Sequence, residues 1–163
     1  MSITLSNKER TLLEDQKTHE QICIEKYTNY SNQTQDPQLK KIFTDNANAE
    51  REHLNSINSL LSGQIPNVSG GSSTAQQPAQ LPLAGTASAG LQPQPGAAGP
   101  NDADFCKDML MTEKYVSGAY DTTIFEFRDK NARDVLNHIQ KEEQQHGESI
   151  YNYMASKGLY KVQ

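Results

Sequence analysis

Residues 49–54 read AEREHL, and residues 141–147 read KEEQQHG. In each stretch a Glu stands three positions before a His: Glu50 before His53, and Glu143 before His146. Positions three apart on a helix share a face about one turn apart, so each pair can aim at one point. A single such pair is ordinary on a solvated helix, and its return at a fixed distance needs a reason. Sliding the first part of the chain by 93 positions lays Glu20 on Glu113, Tyr27 on Tyr120, Asp36 on Asp129, Glu50 on Glu143 and His53 on His146. The chain reads as two copies of one unit.

Each unit reads as a helical hairpin. The first helix is expected from Asn7 to about Gln33, with Leu13, Glu20, Ile24, Tyr27 and Ser31 near one stripe. Asp36-Pro37 is an N-cap followed by a proline at the first helical position, and it opens a second helix through Leu39, Ile42, Phe43, Glu50, His53, Ile57 and Leu61. That helix is expected to end near Ser62-Gly63. In the second copy, Asp102 or Asp104 caps a helix with Phe105, Met109, Glu113, Val116, Tyr120, Ile124 and Phe127 on its stripe. A break at Arg128-Asp129-Lys130 leads to a last helix carrying Ala132, Val135, Leu136, Ile139, Glu143, His146, Ile150 and Met154, stopped by Gly158. Each hairpin alone exposes an apolar stripe, and two hairpins bury theirs against each other as an all-α, antiparallel four-helix bundle.

Between the copies, residues 63–100 read GQIPNVSGGSSTAQQPAQLPLAGTASAGLQPQPGAAGP, with no charge and no aromatic ring. Such composition cannot bury enough apolar area to offset the entropy of ordering it, so residues 63–101 are expected to form a flexible linker. This tract also explains a hydrophobic content of only 34% in 163 residues. The expected organisation is a single domain, with hairpins at 7–62 and 102–157 flanking the linker. If the second and third helices run parallel, the linker must return along the bundle, roughly 35 Å.

The net charge of -5 disfavours nucleic acid or an anionic membrane as partner. The first residues, MSITLSNKERTLLEDQ, lack a basic start followed by an apolar run, so no secretion signal is expected, and no stretch approaches a membrane span. Cys23 and Cys106 lack metal-binding spacing and are expected to be small buried thiols.

In each copy the first-helix Glu and the paired Glu lie 30 residues apart, with the turn at their midpoint. Each therefore sits roughly 20 Å from its turn, one ascending and one descending, and both reach the same height. The bundle centre is expected to receive Glu20, Glu50, His53, Glu113, Glu143 and His146 at one level. Four carboxylates crowded in a low-dielectric core repel one another, and two divalent cations would cancel their charge. Mixed carboxylate and imidazole ligands suit iron(II) or manganese(II). Glu50 and Glu143 are expected to bridge the metals, Glu20 and Glu113 to cap one each, and His53 and His146 to complete one shell each. Tyr27 and Tyr120 stand on the same stripe and serve either core packing or a hydrogen bond beside the site. Gln16 is the candidate acceptor for a second ring N–H, whereas Met109, at the matching position, is a poor one. Glu52 and Glu142 read as surface residues, as do His19 and His138.

The order Glu, Glu-x-x-His, long connection, Glu, Glu-x-x-His resembles the ferritin-like di-iron carboxylate superfamily. More closely, LLEDQKTHEQICIEKY and DMLMTEKYVSGAYDTTIFEFRDKNARDVLNHIQKEEQQH, together with the Pro/Gly/Gln tract, are similar to the spore coat protein F family. That resemblance implies a place in the coat of the dormant spore, reached from the mother-cell cytoplasm, with other coat proteins or a second copy as partner.

Two functions remain open on the residues. One is a binuclear iron or manganese protein that reacts with oxygen or peroxide, as a ferroxidase, peroxidase or catalase would, or holds metal. The other is a structural coat building block with a vestigial site. The full set of six ligands favours the first, and the linker favours the second.

Overall fold

The computed structural model describes residues 2–67 and 98–161. Four helices account for most of them: α1 (Asn7–Gln33), α2 (Pro37–Leu61), α3 (Asp102–Glu126) and α4 (Lys130–Ser156). No helix among the described residues is long and apolar enough to cross a membrane. The greater part of the predicted linker, 68–97, lies outside the described residues. Its beginning is tied down, because Ile3 N–H donates to the Gly63 carbonyl at 2.8 Å and Ser2 bridges Gln64.

Helix ends follow local chemistry. Ser6 and Glu9 form a reciprocal capping box that opens α1. Asp36 accepts from Gln38 N–H at 2.9 Å to open α2, and its repeat counterpart Asp129 accepts from Ala132 N–H at 3.0 Å to open α4. The expected caps of α3 are corrected. Asn101 holds the cap position without a side-chain bond, and Asp102, already helical, accepts from Gly99 N–H at 2.6 Å. Gly158, at φ 69°, takes the left-handed conformation that lets the chain leave α4.

Packing sets the register. Within the first hairpin, α1 and α2 run antiparallel, as do α3 and α4 in the second. Between hairpins, α1 meets α3 through Gln16–Thr123 and Lys26–Asp108 bonds, and α2 meets α4 through His53–Glu142 and Asp36–Tyr153 bonds. In each of these pairs one partner's number rises as the other's falls, so the packing is antiparallel. It follows that α2 and α3 point the same way.

Apolar layers close the bundle above and below its middle. Leu39, Phe43, Cys106, Met109, Ile150 and Met154 fill the end near the α1–α2 turn, and Leu13, Ile57, Leu60, Leu136 and Ile139 fill the other. The stripe expected on α1 shifts by one residue: Cys23 is fully buried and Ile24 only half so. Periodicity favoured the larger apolar side chain, whereas the helix turns the smaller thiol inward at the level of the carboxylates. A similar shift on α3 buries Cys106 and Thr123 while Phe105 and Ile124 stay half-buried. On α1 half of the inward face is polar, with Glu9, Gln16, Glu20 and Ser31 all buried.

Two ion pairs lock the ends. Arg128 grips Glu9 through its side chain and backbone N–H, at 2.9 Å for the closest contacts, which holds the Glu9 carboxyl down at about 2. At the opposite end the fully buried Asp36 accepts from Tyr153 O–H at 2.8 Å and pairs with Lys157 at 2.9 Å. Asp129 caps α4 without comparable added partners for its carboxylate. Asp36→Ala is therefore expected to cost about 2–3 kcal/mol and Asp129→Ala about 1 kcal/mol, read from urea unfolding midpoints of the two variants.

Candidate metal centre

All six residues expected at the centre arrive there. α1 supplies Glu20, α2 supplies Glu50 and His53, α3 supplies Glu113, and α4 supplies Glu143 and His146, each of them buried. They form two overlapping groups: Glu20, Glu50, His53 and Glu143; and Glu50, Glu113, Glu143 and His146. Within each group one ligand atom from every residue lies within 4.8 Å of all the others. Glu50 and Glu143 belong to both groups. Each of the other four belongs to one, so the sharing follows the repeat.

The Nδ1 edge of each ring faces inward. His53 Nδ1 lies 3.1 Å from Glu50, 3.2 Å from Glu143 and 3.5 Å from Glu20. His146 Nδ1 lies 3.1 Å from Glu50, 3.5 Å from Glu143 and 3.6 Å from Glu113. Ligands about 2.1 Å from a common ion stand about 3.0–3.4 Å apart at right-angled to tetrahedral geometry. The spacing is that of a coordination shell as much as of ion pairs.

Four carboxylate oxygens in this cluster, Glu20 Oε2, Glu113 Oε2 and both of Glu143, are buried without a hydrogen-bond partner. Glu143 is near both imidazoles, yet those contacts are not aligned as hydrogen bonds. Bare carboxylate oxygens in a dry core carry a full desolvation cost. The donor set, all oxygen and imidazole nitrogen, fits a divalent cation of intermediate hardness.

A second layer crosses between the repeats. Tyr27 on α1 donates to Glu113 on α3, and Tyr120 on α3 donates to Glu20 on α1. Asn46 Nδ2 reaches the Tyr27 hydroxyl at 3.2 Å. Each tyrosine thus orients the carboxylate of the opposite hairpin and fills core space besides. Cys23, packed at the same level, is held as a neutral thiol by burial and the surrounding carboxylates.

Several expectations about the surroundings need correction. Gln16 does not serve a central histidine: its Nε2 donates to Thr123 at 3.0 Å and its Oε1 faces His19 at 3.3 Å, one apolar layer away from the centre. The acceptor is Glu142, which takes His53 Nε2 at 2.8 Å and also lies 3.5 Å from His138. Glu142 was read as a surface residue because it adjoins Glu143 on the outer side of α4. Across the bundle, however, that side overhangs α2. The 93-residue offset makes Ala49 its counterpart, so His146 has no equivalent carboxylate, and the two halves of the centre differ. His19 and His138 are half-buried rather than exposed, while Glu52 is exposed as expected.

Protonation divides the cluster. Burial pushes Glu20 and Glu113 well above the carboxylate range, and the other carboxylates add to it. Burial and mutual repulsion act on Glu50 and burial on Glu143 in the same sense, but the two imidazoles close beside them outweigh this and hold both below it. Burial opposes charge on His53 and His146 too, yet carboxylates on every side raise both well above the imidazole range. In the metal-free centre these shifts favour charge on His53, His146, Glu50 and Glu143 and disfavour it on Glu20 and Glu113.

Groups whose pKa is raised by folding contribute stability below their unfolded value and lose it as pH rises through the folded one. For the histidines that loss begins above about 6.5. The metal-free chain is expected to show a falling Tm between pH 6.5 and 9, and His53→Gln with His146→Gln should flatten the slope, both read by thermal scans in chelator.

An all-helical bundle enclosing a carboxylate and histidine cluster defines the class. Residues 101–163, the whole second hairpin, match the Coat F domain family. A curated relative, the uncharacterized protein YusN of Bacillus subtilis (strain 168), is 34% identical over 71 residues, 44% of this chain. The match spans 64% of that relative's length. No solved structure matches the chain.

Proposed function

We propose that this chain is a ferritin-like spore coat protein whose bundle holds two divalent iron or manganese ions. One observation carries the reading: two overlapping sets of four buried ligand residues, with four carboxylate oxygens left without a hydrogen-bond partner. The parallel course of α2 and α3 and the antiparallel pairing of the hairpins support the ferritin-like assignment. The Coat F domain match over 101–163 supports the coat, with other coat proteins or a second copy as neighbours.

In this reading Glu50 and Glu143, which belong to both ligand groups, would help hold either ion, with Glu20 and His53 completing one group and Glu113 and His146 the other. Bound iron or manganese would supply redox chemistry toward dioxygen or peroxide, or would be stored. The chain's own residues aim the ligands: Tyr27 and Tyr120 steer Glu113 and Glu20, and Glu142 takes the outer N–H of His53 and turns Nδ1 inward. The apolar layers exclude bulk water from both ends.

The competing reading is a structural building block of the coat, and the Coat F match is the observation that favours it. Elemental analysis after anaerobic iron(II) or manganese(II) loading decides between them. About two ions per chain are expected, and Glu50→Ala with Glu143→Ala should abolish both. No bound metal in the parent chain would leave the structural reading.

Loading should also release protons. Metal binding displaces protons from carboxylate and imidazole ligands, and the raised pKa values of Glu20, Glu113, His53 and His146 favour that release. Affinity should therefore fall steeply with falling pH, the reverse of the trend in metal-free stability, and calorimetry in buffers of different ionisation enthalpy counts the protons.

Because, among the described residues, His53 but not His146 has a carboxylate on its outer nitrogen, Glu142→Ala should weaken one of the two equivalents about 10–100-fold and spare the other. Competition titration against a chelator resolves the two steps.

A further inference from the structure

A groove of about 340 Å³ runs between α3 and α4, lined by Leu110, Glu113, Lys114, Ser117, Glu143 and Gly147, with Gln144 at its rim. Two of its lining residues, Glu113 and Glu143, are members of the candidate metal centre. It therefore leads from the surface to the half of the centre that contains His146. Its width comes from small residues. Ser117 and Gly147 face it, and a Cβ placed on Gly147 would meet only Leu110 Cδ1, at 3.6 Å across the groove. Gln140 Nε2 donates to the Ser117 carbonyl at 2.8 Å and fixes the α3–α4 spacing beside it.

The internal repeat supplies a comparison within the same molecule. At the 93-residue offset, Ser117 corresponds to Ile24, Gly147 to Leu54 and Gln144 to Arg51. Both apolar counterparts are half-buried. Arg51 spans from α2 to α1, where its guanidinium reaches Thr28 Oγ1 at 3.3 Å while also holding Asn48 at 2.9 Å. The α1–α2 face thus carries two bulky side chains and a cross-helix strap where the α3–α4 face carries a serine and a glycine. A mid-helix glycine is disfavoured relative to other residues, and nothing packed against Gly147 requires its lack of a side chain.

We propose that the α3–α4 groove is the route by which small hydrated solutes, the divalent cation first among them, reach the centre, and that Ser117 and Gly147 keep it open. This rests on the metal reading above. The groove makes the two halves of the centre unequal in access, with the Glu113 and His146 half nearer to solvent and the Glu20 and His53 half behind it.

The test transplants the closed face onto the open one in the full chain, as Ser117→Ile with Gly147→Leu. Cobalt(II) uptake is followed by stopped-flow absorbance, and the final cobalt content by elemental analysis. The expected result is uptake slowed at least tenfold with unchanged final content, while Tm stays equal or rises because the helix gains a better former. Gly147→Ala, whose added methyl fits without displacement, and Ser117→Ile alone should slow uptake by smaller factors and serve if the double variant does not fold. Uptake within twofold of the parent in all folded variants, with full final content, would overturn the route and leave the metal reading standing. A parent chain that takes up no cobalt at equilibrium would overturn both.

Discussion

Four carboxylates and two imidazoles share one dry level of this bundle, and their mutual electrostatics constrain everything around them. Ions stripped of water in a low-dielectric core are tolerated only when paired, protonated or bound to a cation. The chain uses the first two means in its metal-free form. Glu50 and Glu143 keep their charge against His53 and His146, and Glu20 and Glu113 are pushed toward neutrality. Two divalent ions would offset the charge of four carboxylates and give the unpartnered oxygens ligand bonds.

The scaffold serves that constraint. Each hairpin brings its own carboxylate and Glu-x-x-His pair to mid-height, and apolar layers seal the level from both ends. Each tyrosine belongs to one hairpin and bonds the carboxylate of the other, so this arrangement of the centre forms only when the hairpins dock. Asp36 works in the same way at one end of the bundle, since it caps α2 while gripping Tyr153 and Lys157 on and beyond α4.

Exact repetition would give two identical half-sites, and the chain departs from it at a few positions. Glu142 against Ala49 gives one histidine an outer carboxylate and denies it to the other. Ser117, Gln144 and Gly147 against Ile24, Arg51 and Leu54 open one face and close its counterpart. Within the proposed function, these differences separate a well-anchored inner site from an accessible outer one.

Much of this was legible in residue spacing. The 93-residue offset and the turn at the midpoint of each Glu pair depend only on helix rise, so they placed Glu20, Glu50, His53, Glu113, Glu143 and His146 at one height before any packing was known. Capping chemistry at Asp36 is equally local, and it set the start of α2. What the sequence could not decide was which side of each helix meets which neighbour. A rotation of one residue exchanged Ile24 for Cys23 in the core, because the available space at that level is set by three other helices. Glu142 looked like a solvated neighbour of Glu143 until α2 packed beneath it, and Gln16 was drawn away by Thr123 on another helix. A comparison of Glu142 with Ala49 across the repeat would have signalled an asymmetry, but not its partner. Local chemistry determined the elements and their heights; the angles at which the helices dock, a property of the packed whole, decided which side chains touch.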